Sequence, residues 1–333
     1  MNSEIKFQSR QPKRLTSRPF QILCLSGGGY RGLYTATLLE KLEAEARKPL
    51  SQVFDLIAGT SIGGILGLGL AARKPASQMK AAFEKNGAHI FPTSYRVKGH
   101  AILPRLRTGI FKARYPQDGL RETLSEVLGD LKDETLQSEK LGCRVLITCV
   151  NVTSRSARLF RSTDPSCAAK LIDIGLSTSA APTYFPEHSL DSAIVVDGGL
   201  VANAPDMLAV MDALRSQKLE NIRVLSLGTA GREGARAFRD PGSPGIVGSA
   251  KDTFLLTLDA QEQISIQATA DLLGDRYLRL DTMASEAERK EIGLDMTSTK
   301  AAKTLQMMAA RTWDEQFPAH QSWLRETLNR SRP

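Results

Sequence analysis

Hydrophobic residues in this chain fall into short continuous runs, separated by longer stretches where apolar positions recur every three or four residues. Residues 20–25 (FQILCL) form one such run, closed by three glycines, and read as a strand buried on both faces. Residues 31–47 then carry Leu38, Leu39, Leu42 and Ala46 at helical spacing. The same reading predicts strands at 53–58, 144–150, 193–196 and 222–227, with helices at 62–72, 119–128, 168–176 and 206–215. Strands with no polar face, alternating with helices, predict an α/β fold with a mostly parallel central sheet and helices on both faces. The last third predicts helices at 253–273 and 298–316 around a strand-like stretch at 276–281. The expected organisation is a basic flexible arm at 1–18, an α/β core at 19–230, and a mainly helical portion at 231–333 packed on that core.

One stretch imitates a membrane span. Residues 56–72 carry no charge, and Gly59, Gly63 and Gly67 satisfy GxxxG twice. At 17 residues it is shorter than the roughly 20 needed to cross a bilayer. A strand, a tight turn and a buried helix fit it better. The first 18 residues show neither the apolar core nor the cleavage site of a secretory signal.

Composition adds limits. With 333 residues, 41% of them hydrophobic, the chain can build a large core, which excludes disorder over most of its length. Its four cysteines (24, 143, 149, 167) lack CxxC spacing, so buried thiols are expected rather than disulfides or a metal site.

Three clusters carry candidate chemistry. Gly59-Thr60-Ser61-Ile62-Gly63 places GxSxG between a strand and a helix, the context of a nucleophile elbow. The glycines matter because a side chain would clash where strand turns sharply into helix. The same turn also serves merely to pack a helix closely on a sheet. Gly27-Gly28-Gly29-Tyr30-Arg31-Gly32 could present backbone N–H groups to an anion, as a phosphate cradle or as an oxyanion hole. No GK[ST] follows it, and a GxSxG on the next strand favours the oxyanion hole. Asp197-Gly198-Gly199 ends the strand at 193–196, where α/β proteins build sites. Of the four histidines, His188 is the one credible third member of a triad; His89, His100 and His320 lack a strand-end context.

The order GGGxRG, GxSxG and DGG, together with Ser179-Ala180-Ala181-Pro182-Thr183-Tyr184-Phe185-Pro186, resembles the patatin-like phospholipases over about residues 20–230. The resemblance implies a three-layer sandwich and a Ser–Asp dyad that cleaves carboxylic esters of membrane phospholipids, without a metal or catalytic cofactor. Ser61 would be the nucleophile and Asp197 its base. Gly27, Gly28 and Gly29 would donate to the oxyanion, and Arg31 holds the loop's basic position. Segments 26–33, 83–92, 198–205 and 275–281 are also similar to bacterial patatin-like effectors of cyclic-oligonucleotide antiphage systems. That branch implies a cytoplasmic enzyme, acting at the inner membrane surface once a cyclic dinucleotide of the cyclic GMP-AMP type binds. It implies no DNA or RNA polymer as partner and leaves the oligomeric state open. Two alternatives stand beside it: a soluble-ester esterase or thioesterase, and a non-enzymatic phosphate- or nucleotide-binding module.

Charge is the last clue. The chain carries +8, of which residues 1–18 hold +4 and residues 92–115 hold +6, leaving the rest at −2. The second segment mixes Arg96, Lys98, Arg105 and Arg107 with apolar side chains such as Ile102, Leu106 and Phe111. It is either a solvated loop or a surface for anionic lipid or nucleotide, and those four cations are the candidate activator contacts.

Overall fold

Five strands with apolar side chains on both faces align in parallel, because only a sheet covered by helices on each side can bury them. They are β1 (Phe20–Leu25), β2 (Leu56–Gly59), β5 (Arg144–Asn151), β9 (Ile222–Leu227) and β10 (Tyr277–Leu280), ordered β10-β9-β1-β2-β5. A computed structural model describes residues 18–93, 95–97, 100–102, 113–231 and 250–330 of the chain. Three further strands run antiparallel: β6 (Ser156–Arg161) on β5, β8 (Ala193–Asp197) also on β5, and β7 (His188–Leu190) on β8. The sheet is therefore mixed at one end rather than parallel throughout.

Side chains alternate across the sheet as the two-residue period of a strand requires. On β1, Leu23 and Leu25 enter the larger core with α1 (Gly32–Ala46), α2 (Ile62–Ala71), α3 (Ala76–Ile90), α4 (Asp118–Leu128) and α5 (Leu171–Thr178). Ile22 and Cys24 face the other way, toward Ala209, Val210 and Ala213 of α7 (Asp206–Ala213) and Leu273 of α8 (Ala250–Leu273). The three layers match the expected sandwich.

The stretch that imitated a membrane span is β2, a turn and α2, with all ten α2 residues buried against the sheet. No helix among the described residues is long and apolar enough to cross a membrane. All four cysteines are free and buried.

The C-terminal portion is not only an outer layer. β10 extends the sheet beside β9, while α10 (Thr299–Ala319) and α11 (Gln321–Leu328) add Leu305, Met308, Leu324 and Leu328 to the larger core. Of the basic segment, the backbone places Arg96 in β3 (Tyr95–Val97), paired antiparallel with β4 (His100–Ile102). Lys98, Arg105 and Arg107 lie outside the described residues, as do 1–17 and the glycine- and proline-bearing stretch 232–248.

Candidate active site

Strand β5 acts as the ruler of the site. β2 runs along one of its edges as far as the Gly59–Ile147 pair. β8 comes down the same edge from the opposite direction and ends with Asp197 opposite Cys149, while β6 occupies the other edge. The carboxyl ends of β2 and β8 therefore meet head to head, two residues apart on β5. Ser61 follows the first and Asp197 ends the second, and Ser61 Oγ donates to Asp197 Oδ2 at 2.6 Å.

Ser61 is held in a strained conformation, φ 54° and ψ −125°, which L side chains rarely adopt. Close packing enforces it. A Cβ at Gly63 would run into the Leu25 and Ser26 carbonyls of the β1 end, so only glycine lets α2 start this near the sheet. The Ser61 N–H donates to Thr178 Oγ1 at 2.9 Å, and the carbonyl of Thr178 accepts the Gly198 N–H at 3.3 Å. Ala180 O accepts from Asp197 N–H at 3.0 Å. The end of α5 and the segment after it thus grip both members of the pair.

Asp197 is buried, and its Oδ1 accepts the Gly199 N–H at 2.7 Å. Burial pushes its carboxyl up from 3.8 to about 6, against the opposing pull of the Ser61 and Gly199 hydrogen bonds. A carboxylate so raised is a stronger base than an ordinary aspartate, yet ionised at neutral pH.

The glycine loop after β1 divides. Gly28 and Gly29 line the cleft with Ser61 and Asp197, and among the described residues their N–H groups make no hydrogen bond. Gly29 has φ 55° and sits against the Leu294 carbonyl, which accepts from Tyr30 N–H at 2.8 Å. Gly27 differs from the expectation: its N–H is spent on the Asn203 carbonyl at 2.9 Å. Arg31 differs too. Its guanidinium donates to Gly231 O at 3.2 Å and faces Thr229, Glu262 and Asp281 in a separate polar pocket. The helix carries that side chain away from the cleft because it stands two residues past Gly29, on the turn that opens α1. Two N–H groups, with the N-terminus of α2 behind Ser61, can meet an oxyanion.

Beyond the polar end the cleft turns apolar. It encloses about 650 Å³, its open mouth included, between Ile62, Ile65, Phe83, Ile90, Phe91 and Leu120. Phe91 and Phe185 form one wall, and both rings pack on Tyr115, with the three centroids 5.4 to 6.0 Å apart. A hydrocarbon chain is the ligand that gains most from such a lining.

His188 is not part of this arrangement. It lies in β7, opposite Val195 and one strand farther out, with Nε2 3.5 Å from Asp173 Oδ1. Burial lowers its pKa, partly offset by Asp173. Replacing His188 by alanine is expected to keep ester hydrolysis within about threefold of wild type, since its ring faces Asp173 rather than Ser61 or Asp197; loss of activity at an unchanged Tm would restore the triad. Among the described residues, no group of His, Cys, Asp and Glu side chains is placed to hold a metal ion.

Thr178 and Asn203 belong to the site without having been singled out in the sequence. Asn203 lines the cleft, and its Nδ2 reaches Gly27 O at 3.4 Å. Asn203 falls within 198–205, one of the segments that carry the resemblance, but the sequence there says nothing of a neighbour 176 residues away.

Comparison with known proteins fits this geometry. The sequence model of the patatin-like phospholipase family matches residues 23–210. A Pseudomonas aeruginosa protein named cGAMP-activated phospholipase is 36% identical over 306 residues, covering 86% of this chain and 85% of its own length. Proteins of the same name from Vibrio cholerae and Escherichia coli are each 32% identical, covering 89% and 90% of this chain and 91% and 90% of their own lengths. With the family model spanning more than half of it and full-length relatives above 30% identity, the chain belongs to the patatin-like phospholipases.

Proposed function

We propose that this chain is a phospholipase that cleaves carboxylic esters of membrane phospholipids through Ser61 and Asp197, switched on by cGAMP. The observation that carries the reading is the 2.6 Å Ser61–Asp197 hydrogen bond at the head of an apolar cleft. The activator comes from the relatives' printed name and their similarity along most of this chain.

The chemistry follows from the two side chains. Asp197 takes the Ser61 proton as Oγ attacks the ester carbonyl, and the new oxyanion turns toward the Gly28 and Gly29 N–H groups. Collapse breaks the C–O bond, and protonated Asp197 returns the proton to the leaving lysophospholipid alkoxide. Water then repeats the sequence on the acyl-serine, with Asp197 again taking a proton, and frees the fatty acid. The acyl chain lies along the apolar wall while the head group stays at the mouth. In the reading we adopt, the enzyme works from the cytoplasm on the inner membrane surface, in antiphage defence, and the basic residues of 92–115 are its candidate anion contacts.

The test compares anionic phospholipid vesicles with a soluble short-chain ester, each with and without cGAMP. The expected result is that cGAMP raises fatty-acid release from vesicles at least about 10-fold, equivalent to about 1.4 kcal/mol of coupling. Fast hydrolysis of the soluble ester that ignores both cGAMP and vesicles would replace this reading with a constitutive esterase.

A further inference from the structure

The family match ends at residue 210, yet the loop that carries the oxyanion donors is tied to a carboxylate far beyond it. Glu262 lies on α8, and its side chain is 13% exposed. Its Oε2 accepts from Asn203 Nδ2 at 2.6 Å. Its Oε1 accepts from Arg279 Nη2 at 2.7 Å and from Ser26 Oγ at 3.3 Å. Arg279, on β10, also donates to Ser226 Oγ at 2.7 Å and Asp281 Oδ2 at 2.9 Å, so the carboxylate is fixed from behind.

Asn203 passes that fixation on. Its carbonyl accepts the Gly27 N–H at 2.9 Å while its Nδ2 lies 3.4 Å from Gly27 O, so one residue holds the glycine on both sides. Its own N–H donates to Gln261 Oε1 at 3.0 Å, and Gln261 Nε2 donates to the carbonyl of Gly199, the residue that bonds Asp197. One turn of α8 therefore grips both the strand-end loop before Gly28 and the turn after Asp197.

We propose that Glu262 is a positioning residue for the hydrolysis: through Asn203 it sets the Gly27 peptide, and so aims the Gly28 and Gly29 N–H groups at the Ser61 reaction centre. The proposal rests on the dyad reading above. It also gives the C-terminal portion a direct part in catalysis. The negative charge matters, because an amide at 262 cannot accept from Asn203 on one side and from Arg279 and Ser26 on the other. Its NH₂ would oppose their donors.

The test is Glu262→Gln in the full chain with cGAMP present, assayed on a soluble chromogenic ester. Donors misplaced by a fraction of an ångström weaken transition-state binding more than ground-state binding, so kcat is expected to fall about 10- to 100-fold with KM within about twofold. Arg279 keeps Asp281, so the fold should survive with a lower Tm, and the kinetics are read well below it. If Glu262 acts through Asn203, the Glu262→Gln factor disappears in an Asn203→Ala background. An unchanged kcat, or a factor that persists undiminished without Asn203, overturns the proposal. A fluorophosphonate that fails to label Ser61 in the wild type overturns the dyad reading and the clamp with it; normal labelling beside an unaffected Glu262→Gln variant overturns the clamp alone.

Discussion

Alanine at Ser61 is expected to lower ester hydrolysis by at least about 10⁴-fold and to abolish covalent labelling by a fluorophosphonate, whose phosphorus takes the serine oxygen as fluoride leaves. The size follows from the site. Among the described residues that line the cleft, Ser61 Oγ is the one hydroxyl bonded to Asp197; the Ser179 hydroxyl also lines the cleft but makes no bond to it. Alanine keeps a Cβ, so the strained turn at φ 54° is retained and the loss reports chemistry rather than a relaxed elbow. Asp197 keeps only the Gly199 N–H as donor, so its carboxyl should rise further. Mass spectrometry of labelled protein measures the outcome. Labelling that survives in the variant would move the nucleophile elsewhere, and a wild type that never labels with cGAMP present would favour a nucleotide-binding module.

Asparagine at Asp197 is expected to cost similar activity while making the protein more stable at neutral pH. The carboxyl is raised from 3.8 to about 6 by burial, so the folded state prefers it protonated. Holding it ionised at pH 7 then costs about 3 kcal/mol relative to the protonated form. For an acid raised on folding, that cost is absent below the unfolded value of 3.8 and grows to full size as pH passes about 6. Asparagine is neutral and nearly isosteric. Its oxygen can accept from Gly199 and its amide can donate to Ser61. Urea denaturation should show the variant ahead by about 1–3 kcal/mol at pH 7.5, with the gap closing toward pH 4. A gap that ignores pH would mean that Asp197 does not titrate in this range. Hydrolysis by the wild type should fall on the acid side of about pH 6 for the same reason, because only the ionised form accepts the serine proton.

Much of this architecture is legible in the sequence because burial on both faces leaves an unmistakable pattern. β1 and β9 appear as continuous apolar runs, and α2 as a helix with no polar side, and their predicted bounds agree with the structure to within a residue. The expected strand at 53–58 starts too early. Val53 and Phe54 are buried, but both bond back to the Leu50 carbonyl in a turn, and apolar character cannot tell a buried turn from a strand. β6 was not anticipated because two of its six residues are exposed and three more are half-buried. Nothing in Ala193–Asp197 announces that it runs against its neighbour, since pairing direction is a property of the partner. Of the site, Ser61, Asp197, Gly28 and Gly29 were visible as motifs at strand ends. Gly27 and Arg31 share the glycine motif but turn elsewhere, and Asn203 and Glu262 acquire meaning only through contacts made across the fold.

The head-to-head meeting of β2 and β8 also bears on synthesis of the chain. Ser61 and Asp197 are 136 residues apart, and β1 waits for residues 222–227 to gain its second neighbour. A ribosome that has made only the elbow and its helix has made a serine with no base, beside a sheet open on one edge. The base arrives with an antiparallel strand that must reach back along β5, a slow kind of pairing compared with local helix formation. The reactive pair is thereby absent from any nascent fragment that ends before Asp197 of the 333 residues, and such a fragment holds a nucleophile without its base.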